Sequence, residues 1–140
     1  MNEHLIVRVI TKMLVPFILL FALYVQMHGD FGPGGGFQAG VIFATAFIVY
    51  AIVFGMIPTL RAMPVGIVAA MVSLGVMLYA GVGFAAIVAG GSFLDYSVFD
   101  TQDPAHGQHL GILLVELGVG ITVSGVLMAI FFTFAERYSR

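Results

Sequence analysis

A chain of 140 residues, 61% of them hydrophobic and 9% charged, with a mean hydropathy of +1.11, has too little polar surface to face water as one soluble domain. Its surplus apolar surface must face lipid. The absence of cysteine excludes disulfides and thiolate chemistry, and a net charge of −2 without a basic cluster argues against nucleic acid as a partner.

The first apolar stretch runs from about Leu5 to Met27, near the roughly 20 residues that cross a bilayer core of about 30 Å. Arg8 and Lys12 ahead of Met13 to Val25 give it a superficial likeness to a signal peptide. No small-x-small cleavage site follows, so the expectation is a retained helix. Arg8 and Lys12 share a face at i, i+4, where they can snorkel to headgroups or meet a partner on a neighbouring subunit. Pro16 removes one backbone hydrogen bond and predicts a bend.

The connection that follows, His28 to Phe37, holds the most unusual stretch of the chain: Gly32-Pro33-Gly34-Gly35-Gly36-Phe37-Gln38-Ala39-Gly40. Successive glycines lose much entropy on folding, so their use is a backbone that takes positive φ or lets another segment pass close by. Pro33 restricts the entry, Phe37 offers a bulky anchor, and Gly36 with Gly40 makes a small-xxx-small face. The consecutive amides can also form an anion-friendly nest. A plain external turn is the competing reading. A phosphate loop is excluded, because no Gly-Lys-Ser/Thr follows.

The second stretch spans Gln38 to Ile57, a tight turn is expected at Pro58 to Met63, and the third stretch spans Pro64 to Gly90. Small residues on several faces of the third and fourth stretches, among them Gly75, Gly81, Gly118 and Gly125, suggest packing against other chains as well as within this one. A longer acidic connection, Gly91 to His109, carries Asp103, His106 and His109 at metal-ligand spacing. Pro104 and Gly107 argue against the rigid helix such a site needs, and no fourth ligand is near, so no metal is expected in what reads as a solvated loop.

The fourth stretch, Leu110 to Ala135, contains Glu116 among apolar neighbours, roughly 9 Å inside its start at 1.5 Å per residue. An intramembrane carboxyl persists only if it is neutral, paired or bathed in a polar cavity. Gly120 and Ser124 follow at i+4 and i+8, a narrow stripe open to water or a neighbouring helix. Glu116 therefore either binds or relays a cation or is hydrogen-bonded across an interface; Ser124 belongs to the same candidate pathway.

Short connections predict an all-α polytopic protein, one domain over 1–140, built as an antiparallel bundle of four transmembrane helices. All five Lys and Arg residues (Arg8, Lys12, Arg61, Arg137 and Arg140) fall on one side of it, and Asp30, Asp95, Asp100 and Asp103 on the other. The positive-inside rule then puts both termini in the cytoplasm.

The run from His28 through Gly40, set between a first and a second membrane helix, resembles the signature of the B subunit of Mrp-type (Mnh) multisubunit cation/proton antiporters. The likeness extends over the whole chain, with Ala39 standing where the family often has a second glycine. It implies a non-autonomous subunit of a hetero-oligomeric complex in the cell membrane that exchanges Na⁺ for H⁺, contributing to assembly and to the sodium route. Related subunits occur in ion-translocating hydrogenases allied to complex I, which stay open as an alternative, as does a homo-oligomeric carrier. An intramembrane enzyme is disfavoured, because the serines and histidines show no nucleophile-elbow or metalloprotease spacing.

Overall fold

A computed structural model describes residues 5–29, 32–100 and 102–138, with side chains through Glu136. Asp30 and Arg140, and the side chain of Arg137, lie outside the described residues. Among the described residues, four long helices are apolar enough to cross a membrane: α1 (Leu5–His28), α2 (Gly36–Phe54), α4 (Val65–Val88) and α5 (Pro104–Tyr138). A short helix, α3 (Met56–Ala62), joins α2 to α4, and a 3₁₀ helix (Tyr96–Phe99) lies in the connection before α5. The chain is an all-helical membrane protein.

Packing follows from where the small residues fall. Successive residues turn about 100° around a helix, so positions two apart, such as Gly118 and Gly120, face nearly opposite ways. On one side of α5, a β-carbon at Gly118 would stand 2.9 Å from the Gly75 carbonyl oxygen, and one at Gly125 would stand 3.0 Å from Val72. That side receives α4. On the other, a β-carbon at Gly40 would stand 2.7 Å from the Gly120 carbonyl oxygen, so that side receives α2. Consecutive spans α2 and α4 thus pack on α5 rather than along one another, and α1 lies mainly on α2. In lipid this close backbone approach, not hydrophobic burial, holds helices together.

The true core is small: Ala44, Met63, Val68, Met128 and Phe132, at the end of the bundle where α3 sits. The apolar side chains of α1 stay largely exposed, among them Met13, Phe17 and Leu20, as a lipid-facing helix requires. Arg8 and Lys12 cover the ring of Phe54, with Arg8 Cζ 5.2 Å and Lys12 Nζ 5.7 Å from its centroid. The two cations therefore share an aromatic face, with their charged ends free to reach headgroups.

Two expectations about connections are corrected. Residues 58–62 do not form a tight turn but belong to α3, with Met63 as its C-cap, an arrangement that Gly55 makes possible with φ 92 between the two helices. And α5 begins six residues before the apolar stretch, at Pro104, despite the helix-breaking reputation of that residue. Proline has no N–H to leave unsatisfied in a first turn, and Asp103 Oδ1 caps the helix by accepting from Ala105 N (3.1 Å) and His106 N (3.3 Å).

The acidic connection is also less solvated than expected. Tyr96 lies on Gly111, and Phe93 covers Gly83, leaving no room for a β-carbon at either glycine. The segment from Leu94 to Asp100 is half-buried against the end of the bundle. His106 Nδ1 stands 3.2 Å from Asp100 Oδ2. Among the described residues no three His, Asp or Glu side chains gather closely enough to hold a metal ion.

Candidate functional site

The glycine-rich connection and Glu116 meet. Gly35 adopts φ 128 and ψ 180, a conformation closed to L side chains, and so turns the chain sharply from the connection into α2. Gly36 then lies directly on the α5 backbone: a β-carbon there would collide with the Glu116 carbonyl oxygen and stand 3.0 Å from Gly120 N. Only glycine allows that approach.

This geometry drives the Glu116 carboxyl into the turn itself. A β-carbon at Gly29 would stand 2.5 Å from Glu116 Oε2, and one at Gly35 would stand 3.0 Å from Oε1. The carboxyl is thus lodged at the N-terminus of α2, where Gly35 offers no capping side chain and the first backbone amides have no partner within their own helix. Helix N-termini favour negative charge. The Glu116 carboxyl thus stands where the glycine run turns into α2.

A cavity of about 300 Å³ opens beside the carboxyl, between the end of α1 and the start of α5. Gln26, Met27, His106, His109 and Glu116 line it, so the two histidines stand on the wall of the space that holds the carboxyl. A second, narrower cavity of about 120 Å³ lies deeper, bordered by Gln26, Gly40, Gly120 and Ser124. Its walls are otherwise apolar, with Leu23, Phe43 and Leu117 among them.

The remaining candidates take different places. Ser124 is buried, and its Oγ donates to the Ile121 carbonyl at 2.9 Å while bordering the deeper cavity, away from Glu116. Gly120 is filled by helices rather than open: Gln26 Oε1 and the Gly36 backbone lie against it. The His28 ring stacks on Tyr24 at 5.2 Å and lies over Gly32, which closes the turn by donating its N–H to the His28 carbonyl at 3.1 Å. Gly34 approaches the Val25 carbonyl. Pro33 and Gln38 are exposed, with Gln38 Oε1 near Gly35. Phe37, expected to be an anchor, is 61% exposed, which leaves most of its ring to lipid or another subunit.

Gln26 is the residue that sequence reasoning missed. It is 7% exposed, it borders both cavities, and its Nε2 has no hydrogen-bond partner among the described residues. A buried donor left so costs about 1–3 kcal/mol. The available signal was a lone amide in the last turn of α1, closing the apolar run that starts at Met13.

With this geometry in view, residues 6–129 match the family model described as a domain related to the MnhB subunit of Na⁺/H⁺ antiporter. A Staphylococcus haemolyticus protein named as antiporter subunit mnhB2 is 34% identical over 131 residues, 92% of each chain. Proteins of the same name from Staphylococcus aureus strain Newman and Staphylococcus epidermidis strain ATCC 12228 are 30% and 28% identical over the same length, again 92% of each chain.

Proposed function

The chain belongs to the family of domains related to the MnhB subunit of Na⁺/H⁺ antiporters, and from that membership we propose that it is a non-autonomous subunit of a multisubunit cell-membrane antiporter, with Na⁺ and H⁺ as its ions and Glu116 on the ion route. It is a transport component and not an enzyme.

One observation carries the mechanistic part. The Glu116 carboxyl, set inside a membrane span, is held at the amide-rich start of α2 and also lines a cavity that two histidines share. A carboxyl serving packing alone needs no cavity. One that exchanges a proton or a cation needs both a way in and a group that stabilises its charge. The backbone of the glycine turn supplies the second, and the cavity supplies the first.

What the bundle leaves open supports non-autonomy. Only a small share of α1 and α4 is buried within the chain, and Gly66 and Gly81 on α4 face open space, which fits contact with further membrane subunits. The experiment is purification of the native complex with identification of its subunits, followed by reconstitution. Large complex-I-like partners, Na⁺-driven proton movement by the complex and silence of this chain alone in liposomes are the expected outcome. A nickel–iron hydrogenase partner would move the chain to that class, and transport by this chain alone would make it a self-contained carrier.

A further inference from the structure

We propose that Arg8 and Lys12 of α1, gathered on the Phe54 ring where α2 ends, form a binding site for the headgroup of an anionic phospholipid. The site lies at the end of the bundle away from the start of α5, so it does not depend on the reading of Glu116.

Arg8 and Lys12 are the fourth and eighth residues of α1, one turn apart in a helix apolar enough to cross a membrane. Charge at that depth persists only where it reaches the interface or finds a partner. Side chains lean toward the start of their helix, so Lys12 reaches back toward Arg8. The two charges do converge, with Arg8 Cζ 5.2 Å and Lys12 Nζ 5.7 Å from the centroid of a single ring. Like charges brought together repel, the more so where lipid replaces water. The end of α2 sets only about half a negative charge against two positive ones. Among the described residues no carboxylate pairs with Arg8 or Lys12, and the first turn of α1 holds no acidic residue. The balance is positive, and it calls for an anion.

The surroundings of the two cations select which anion. Leu5, Val9 and Pro16, at i−7, i−3 and i+4 from Lys12, share its side of α1 and are exposed. An apolar strip therefore runs from the charges along α1 toward the middle of the span. An inorganic anion answers the charges alone, whereas a phospholipid answers both features. Its phosphate oxygens accept from the planar fork of Arg8 and from the Lys12 ammonium, while an acyl chain lies along the strip. A headgroup of net negative charge suits the site better than a choline headgroup, which brings a cation of its own.

The test uses the assembled wild-type complex in nanodiscs of phosphatidylcholine and phosphatidylglycerol. A density map should show a headgroup phosphate touching both Arg8 and Lys12 beside Phe54, with an acyl chain along Val9 and Pro16. A carboxylate in that place, from Glu3 or from another subunit, overturns the proposal, as does a map that resolves both side chains with no headgroup between them. Native mass spectrometry of the detergent-purified complex supplies the second arm. Lys12→Gln should retain one tightly bound phosphatidylglycerol fewer per copy of this chain, while Arg61→Gln, which removes a charge from α3, should keep the wild-type number. An unchanged number in Lys12→Gln, or the same loss in both variants, would reduce the site to diffuse attraction and sink it. Displacement of the lipid by inorganic phosphate would make this a site for a soluble anion instead. If Lys12→Gln does not assemble, the wild-type map decides.

Discussion

Glu116 can act by changing protonation or by accepting hydrogen bonds from the glycine turn, and amide substitution separates the two. Gln keeps the shape and most of the hydrogen-bonding capacity but cannot titrate. Glu116→Gln is expected to leave the complex assembled while antiport falls at least tenfold, measured as cation-driven pH change in everted vesicles and normalised to complex on a native gel. Glu116→Asp should retain part of the rate, because the carboxyl survives but retracts by one methylene from Gly29 and Gly35. Wild-type activity in Glu116→Gln would leave this side chain a packing group. Two further carboxylates, Asp95 and Asp100, lie in the connection before α5. The Ser97 hydroxyl holds Asp95 below the usual aspartate range, and the backbone N–H groups of Asp103 and Gln102, in that order, do the same for Asp100, with help from His106. Carboxylates with lowered folded-state pKa stabilise the loop above the usual aspartate range, and that contribution is lost as pH falls through the lowered values. Hydrogen exchange across residues 95–106 should therefore be slow at neutral pH and quicken, relative to the chemical rate, only under strong acid; an Asp100→Asn variant should show faster exchange already at neutral pH.

At the scale of elements, the contact of α2 with α5 depends on backbone meeting backbone. Gly36→Val would set a branched side chain against the Glu116 carbonyl, which a helix cannot move aside without breaking its own ladder. Overpacking of this kind costs about 1–3 kcal/mol, so the expected result is loss of assembled complex on a native gel, with residual antiport falling in proportion. Phe37→Ala differs in kind: the ring is mostly exposed, so the isolated subunit should keep its thermal stability while complex yield falls if another subunit receives the ring. Much of this element structure was legible beforehand. The four apolar stretches became the four long helices because hydropathy and span length are properties of the sequence itself, and the glycine run marked a special backbone. The start of α5 was written in Asp103-Pro104, a cap followed by a residue suited to a first helical position, and was obscured by reading proline only as a breaker. The encounter of Glu116 with Gly29 and Gly35 was not legible, because some 80 residues of chain separate them and only the packing of α5 on α2 decides which face of α5 turns toward the loop. Gln26 escaped for the same reason: its burial is set by α5, not by its neighbours in α1.

The whole molecule divides its charge between its two ends. Arg8 and Lys12 lie with Phe54 at the end where α1 begins and α2 finishes, and Arg61 on α3 belongs to that same end. Asp95, Asp100, the two histidines and the mouth of the Glu116 cavity occupy the other end, where α5 begins. Translocation retains Lys and Arg on the cytoplasmic side, and each basic residue in these short connections pulls the same way. The positive-inside rule predicts an orientation with the cavity mouth outside the cell and the N-terminus within. On the proposed Glu116 route, that orientation sets the compartment that supplies the proton: an outward mouth would let the carboxyl equilibrate with the external medium. Single cysteines test it cleanly in a chain with none of its own. Cysteines at Asp100 and Gly34 should react with an impermeant thiol reagent added to whole cells, whereas cysteines at Arg61 and Ser139 should react only after the cells are opened. Gly34 is the demanding position, since it lies against the Val25 carbonyl and a side chain there must be shown not to disturb assembly; Asp100, half-exposed on the loop, carries the assignment if Gly34 does not tolerate the change. Labelling of Arg61→Cys and protection of Asp100→Cys in intact cells would invert the molecule, and the cavity beside Glu116 would then draw its protons from the cytoplasm.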